Sequence, residues 1–228
     1  MNKIKLSQKI IQEFNKSKIL SIGTGHGIKE IYEVVEDIIS QLPIKPNIAI
    51  ELDLSSKIEY EKFFQGLKVD ISKIYFDFLR DGVLTGDGRV TKECFNFLKK
   101  YQEQNPSSEI IFLDEENKNP ETIDLDQANQ FLKNFHNPTI IIAGNLHSSK
   151  EIKEYSGNKI IPMGFYIKEK VGDFPYINIQ PASGSYFNGK IVEIKEDVNK
   201  NIGELLDLGN SNYLYIFAKA TPTTQFEP

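Results

Sequence analysis

Two stretches of this chain share one arrangement of reactive residues: Gly23-Thr24-Gly25-His26-Gly27-Ile28-Lys29-Glu30-Ile31 and Gly144-Asn145-Leu146-His147-Ser148-Ser149-Lys150-Glu151-Ile152. Each holds a histidine three residues after a glycine, and the chain has only 3 histidines in all. A neutral imidazole can ligate a divalent metal or accept a proton from water, so a matched pair points to metal-site or hydrolytic chemistry. Each copy follows an apolar run, Ile19-Leu20-Ser21-Ile22 or Ile140-Ile141-Ile142-Ala143, and reads as buried strand, tight glycine turn and helix start. Ser148 and Glu151 have the spacing of a capping box, and Gly27 with Glu30 is a weaker version. Both histidines are therefore expected just before a helix N-cap, where the helix dipole keeps an imidazole neutral at pH 7. A lone histidine would more simply tie down its turn by a hydrogen bond; two in matched settings argue for function.

Glu51 adds a carboxylate. It interrupts Ile48-Ala49-Ile50-Glu51-Leu52, otherwise a buried strand, where an unpaired charge is expensive. A structural salt bridge is the plain alternative. His26 lies just past the first expected strand, Glu51 at the end of the second, Asp114 and Glu115 past the third, and His147 past the fourth. In a parallel sheet these positions share the carboxyl edge, where ligands gather. His26, His147 and Glu51 are the candidate metal ligands, with Glu51 alternatively the base for a metal-bound water. Such a set suits zinc, manganese, cobalt or iron. The only two arginines, Arg80 and Arg89, bracket the glycine-rich loop of residues 81–88. Either could form surface ion pairs. Arg89, expected at a helix start, carries a planar fork suited to a substrate carboxylate or phosphate, so it joins the catalytic set and both arginines the substrate contacts. Thr24 and Asn145, inside the two motifs, are further substrate-contact candidates. Residues 181–186 offer a hydroxyl-rich rim, but the Gly-x-Ser-x-Gly elbow of serine hydrolases is missing. His136, at a helix end, reads as structural.

These residues need elements to hold them. Helical periodicity is expected over residues 6–14, 29–42, 56–67, 71–79, 90–101 and 125–135, and strands over 18–22, 47–52, 109–113 and 139–143. Pro43 and Pro46 end the second helix. This alternation predicts an α/β fold, a mainly parallel central sheet flanked by helices. After residue 159 the texture changes to strands at 159–162, 176–180, 190–194 and 213–219, additional mixed strands in the C-terminal third. A single domain is expected over residues 1–220, with 221–228 a loose polar tail.

At 228 residues with 39% hydrophobic and 26% charged content, the chain can bury one sizeable core. A net charge of -5 with scattered lysines argues against nucleic acid or an anionic membrane surface as partner. The single cysteine, Cys94, excludes an internal disulfide and a cysteine-based zinc knuckle, and its place in a helical pattern reads as a buried thiol. Residues 1–18 lack the continuous apolar core of a signal peptide or membrane span, so a cytoplasmic location is expected. Oligomeric state leaves no mark on the sequence.

Gly23-Thr24-Gly25-His26 matches the Gly-Thr-x-His of TraB and Tiki proteins, Ile48-Ala49-Ile50-Glu51-Leu52 resembles their Val-x-x-Glu-Leu strand, and Gly144-Asn145-Leu146-His147 resembles their second Gly-x-x-His. Over residues 18–147 the chain thus resembles the superfamily that joins TraB and Tiki proteins with the erythromycin esterases and ChaN haem-uptake proteins. The resemblance implies paired α/β halves and a site built from both histidine motifs and the glutamate. It implies a metal-dependent peptidase in Tiki-type members and a metal-free hydrolase, with histidine activating water, in the esterases. Esterase members carry a glutamate shortly before the first histidine, where this chain has Gly23 and Thr24. The leading expectation is a metal-dependent hydrolase acting on a peptide or small-molecule amide. The alternatives are a metal-free hydrolase with His26 as base, a haem- or ligand-binding module using either histidine as axial ligand, and an inactive relative.

Overall fold

A computed structural model describes residues 3–74, 79–80, 83–84, 88–114, 121–155, 157–188, 190–194 and 202–226. Its centre is a seven-stranded sheet in the order β12-β13-β9-β1-β6-β2-β5. The strands are β1 (Ile19–Thr24), β2 (Asn47–Asp53), β5 (Ile110–Asp114), β6 (Thr139–Gly144), β9 (Tyr176–Pro181), β12 (Leu205–Gly209) and β13 (Asn212–Phe217). All neighbours run parallel except β12 against β13, which is the mixed α/β architecture that the alternating pattern predicts. β1, β2 and β6 are buried along their whole length, as parallel strands covered on both faces must be.

The covers come from amphipathic helices. α1 (Gln8–Ser17), α2 (Glu30–Ser40), α3 (Leu54–Phe64) and α4 (Lys92–Gln104) precede or link strands on one side, where Ile22, Ile50 and Ile142 join Ile31, Val35, Ile38, Phe95 and Leu98 in one apolar cluster. α5 (Ile123–Asn134) and α6 (Met163–Val171) close the other side over Ala49, Leu113, Ile141 and Ala143. Strand side chains alternate between these layers, so Glu51, next after Ile50, points toward the α5 and α6 side.

Several local features depart from these expectations. Of the helix expected over residues 71–79, residues 75–78 lie outside the described residues; Ile71–Lys73 form a 3-10 turn, and Leu79, its last residue, belongs to β3 (Leu79–Arg80), which pairs with β4 (Val83–Leu84). No helix starts at His147: residues 145–148 form a turn, and β7 (Lys153–Tyr155), next along the chain, pairs antiparallel with β8 (Asn158–Ile160). α6 carries no strong periodicity and went unforeseen. β10 (Gly184–Phe187) pairs antiparallel with β11 (Ile191–Ile194), outside the main sheet. Residues 221–226, polar by composition, are hydrogen-bonded onto the body: Thr223 N–H donates to the Gly27 carbonyl at 3.0 Å and Lys92 N–H to the Thr224 carbonyl at 3.1 Å.

Candidate active site

The order β1-β6-β2-β5 sets four strand ends side by side, and register levels them: Thr24 lies opposite Gly144, and Ile50 opposite Ile142 and Phe112. Glu51, next after Ile50, therefore lies level with the end of β6, and Gly144 N–H donates to its Oε2 at 2.7 Å. Gly144 is also the floor of the site. A Cβ added there would stand 2.9 Å from His26 Nε2, 3.4 Å from Glu51 Oε2 and 3.5 Å from His147 Cδ2, so the glycine of the second motif makes room for the histidine of the first. Gly23 has a like role, since any side chain would run into Asn145 Oδ1, the Tyr176 hydroxyl and Ser148 Oγ at 2.6 to 2.7 Å.

Both imidazoles turn Nε2 toward the same carboxylate. His26 Nε2 is 3.8 Å from Glu51 Oε2 and His147 Nε2 is 3.9 Å from Glu51 Oε1. The glutamate is 3% exposed while the His26 and His147 side chains keep 33% and 25% exposure, so the imidazoles form the accessible rim of a buried anion. Arg89, ahead of the Thr91 cap of α4, reaches back over this anion; its guanidinium lies 3.3 Å from Glu51 Oε1 and 3.3 Å from Asp114 Oδ2. Gln127 of α5 donates to the other oxygen of Asp114.

Asp124 completes the set, and sequence reasoning missed it. Its Oδ1 lies 2.9 Å from His147 Nδ1 and accepts from Met163 N–H at 2.7 Å, which ties the imidazole to the starts of α5 and α6. Acidic residues in a first helical turn are so common that Asp124-Leu125-Asp126 carried no distinguishing signal. The bond fixes Nδ1 and leaves Nε2 to face Glu51.

The electrostatics correct one expectation. Burial disfavours the charged form of His147, but the bond to Asp124 and the negative charges of Glu51, Asp124 and Asp114 outweigh it and push its pKa up to about 9. His147 is thus a cation at pH 7, because the helix dipole invoked to keep it neutral is absent and carboxylates surround it. Burial would raise the Glu51 carboxyl, yet His26, His147, Arg89 and the Gly144 N–H hold it down at about 2. Burial pushes the Cys94 thiol up to about 12, which leaves it no nucleophilic role.

The structure thus brings together Glu51, His26, His147 and Arg89, and adds Asp114 and Asp124. Thr24 is buried with its hydroxyl donating to the Ala143 carbonyl at 3.3 Å, between β1 and β6. Asn145 Oδ1 is enclosed near Gly23 without a hydrogen-bond partner among the described residues. Arg80 contributes its backbone to β3, and Glu115 lies outside the described residues. Among the described residues no group of three His, Cys, Asp or Glu side chains stands at metal-binding spacing. None of their helices is long and apolar enough to cross a membrane.

No protein-family model and no curated protein matches this chain. Solved structures do. It superposes with a TM-score of 0.64 on a succinoglycan biosynthesis protein, at 13% identity over 95% of this chain and 91% of that one. A protein from Bacillus cereus gives 0.62 at 11% identity, over 100% and 95% of the two chains. Both likenesses are of fold.

Proposed function

We propose that this chain is a hydrolase of amide or ester bonds, with His26 as the base that takes a proton from the attacking water. One observation carries the reading: a buried carboxylate, already satisfied by Arg89 and a backbone N–H, lies between the Nε2 atoms of two accessible imidazoles. In the attack, a water proton passes to His26 Nε2 and the oxygen bonds to the carbonyl carbon. Glu51 Oε2, 3.8 Å from that same nitrogen, stabilises the imidazolium so formed by its negative charge. The cationic His147, oriented by Asp124, supplies positive charge beside the negative oxygen of the tetrahedral intermediate, and as the bond from carbon to the leaving nitrogen or oxygen breaks, that atom takes the His26 proton. Arg89, itself held by Asp114, keeps Glu51 ionised and in place. The order of these residues along the chain, which resembles that of TraB, Tiki and esterase proteins, supports the same reaction class.

A second reading, the divalent metal, is favoured by the Asp124–His147 pair, because a carboxylate on the far nitrogen is how metal-binding imidazoles are oriented. His26, His147 and Glu51 would hold the ion, which would polarise a carbonyl or a bound water. This donor set fits less well as it stands: His147 would have to shed a proton held up to about 9, beside the Arg89 cation. A haem would need an apolar slot beside an axial imidazole, whereas both imidazoles border Glu51.

The test uses protein purified without an affinity-tag metal, assayed on p-nitrophenyl acetate and on peptide 4-nitroanilides. Activity that survives chelator and falls about 10²- to 10⁴-fold in His26→Ala is expected. Stoichiometric metal, with activity and melting temperature both lost to chelator, puts the second reading in its place. Full activity in His26→Ala removes both.

A further inference from the structure

β5 ends the sheet, with β2 on one side and no strand described on the other. Its register shows which backbone groups face that open side. Ile48 N–H donates to the Glu109 carbonyl at 2.9 Å and Ile48 lies opposite Ile110, so residues 109, 111 and 113 turn their N–H and C=O groups toward β2. Ile110 and Phe112 turn theirs outward, and among the described residues no backbone or side-chain group takes them up. Such an edge is a template for another strand and is normally covered or blunted. Here it lies at the bottom of a groove of about 680 Å³ whose walls include Lys57 and Phe64 of α3 and Gln130 and Asn134 of α5.

We infer that this groove binds an extended polypeptide, which adds a strand to β5. The outward groups of Ile110 and Phe112 repeat every second residue, about 6.6 Å, a spacing that an extended backbone matches along its length. The walls select the occupant: a second copy would have to bring its own recessed edge past α3 and α5, whereas one extended chain fits between them. Of the charged lining, Lys57 stands against Glu61, and Glu109 already accepts from Asn47 Nδ2 at 3.3 Å; the remaining polar lining includes the amides of Gln65, Gln102, Gln130 and Asn134, so the partner is a stretch without acidic side chains, read mainly through its backbone. At its other end β5 reaches Asp114, the partner of Arg89, about 13 Å from Ile110 at strand rise. On the hydrolytic reading above, which this last step rests on, the bound polypeptide is substrate laid alongside the site.

The probe is a fluorescein-labelled pool of random octapeptides built from uncharged residues. Binding should slow hydrogen exchange at the Ile110 and Phe112 amides of the wild-type protein at least tenfold, while the Ile111 amide, already in the ladder, changes little. Ile110→Pro removes an outward N–H and leaves the β2 ladder whole, and Gln130→Trp fills the groove from α5. Each should weaken peptide binding at least tenfold and leave p-nitrophenyl acetate turnover unchanged, since the ester does not reach the groove. Unprotected edge amides, wild-type affinity in both variants, or a β5-paired dimer that peptide cannot compete apart overturns the inference. Protected edge amides in a protein that cleaves neither ester nor peptide sink the hydrolytic reading and leave strand addition standing.

Discussion

Glu51 and His147 give this protein a defined pH window of site stability. Glu51 is depressed from 4.5 to about 2 in the folded state, so its contribution is present above pH 4.5 and is lost as pH falls through about 2. His147 is raised from 6.5 to about 9, so its contribution is complete below pH 6.5 and is lost as pH rises through about 9. Thermal melts should therefore show the site's full contribution between about pH 4.5 and 6.5 and a decline on the alkaline side. His147→Asn keeps a donor toward Asp124 and cannot titrate, so its alkaline decline should flatten by about 1 to 3 kcal/mol. An equal decline in both proteins would locate the titration elsewhere. Glu51→Gln keeps the size and an oxygen for Gly144 N–H but leaves Arg89 and His147 without their shared anion, and should cost about 2 to 4 kcal/mol in urea unfolding. That Glu51 would be held by partners was legible in the sequence, because a charge inside an apolar strand demands them. Arg89 was legible as unusual but not in its direction: its Nη1 donates to two internal carboxylates, Glu51 and Asp114.

At the scale of elements, what the sequence disclosed and what it hid divide by the range of the forces. β1, β2, β5 and β6 and helices α2, α4 and α5 follow from periodicity, since their burial is set by their own pattern. The segment after His147 has the local signature of a helix start, but its Lys150 side chain is buried at 1% exposure, with Nζ donating to Asp173 at 2.7 Å and to the Phe174 carbonyl at 2.6 Å. Those partners lie 23 and 24 residues away, and no local pattern announces them. α6 starts where Gly164 packs against the Ser148 and Ser149 carbonyls, again a contact between distant segments. Two glycines separate turn geometry from site geometry. Gly144→Ala meets only side-chain ends, the nearest His26 Nε2 at 2.9 Å, so the fold should survive while kcat drops at least about tenfold, because sub-ångström misplacement of a catalytic group is costly. Gly27→Ala meets the Phe187 backbone at a φ of 71°, and should lose more than about 2 kcal/mol of stability. Urea unfolding and steady-state kinetics on both variants check the contrast; a Gly144→Ala enzyme with unchanged kcat would remove His26 from the chemistry.

Over the whole molecule, the site depends on segments more than a hundred residues apart meeting at one loop. Gly27 N–H donates to the Gly88 carbonyl, while the Gly27 carbonyl accepts from Phe187 and Thr223, so the turn after His26, the residue before Arg89, β10 and the C-terminal segment share a junction. Around it, Lys29 N–H donates to the Thr221 carbonyl at 2.9 Å, Thr221 N–H to Glu30 at 2.8 Å and Thr224 N–H to Glu93 at 2.8 Å, and the Phe226 ring packs on Phe63 and Phe95. Composition suggested a loose tail because residues 221–225 hold no large apolar side chain; their hold comes from backbone groups, which composition does not record. Five hydrogen bonds, that of Lys92 N–H to the Thr224 carbonyl included, at a net of about 1 kcal/mol or less each, with a partly buried phenyl ring, place the worth of this segment at about 3 to 5 kcal/mol. Deleting residues 221–228 should lower the urea midpoint accordingly. It should also reduce hydrolysis out of proportion to the fraction unfolded, since the His26 turn and the α4 start that carries Arg89 would lose their common tether. Loss of less than about 0.5 kcal/mol, the size expected for an unattached surface segment, would show that β10 and Gly88 hold the His26 turn without it.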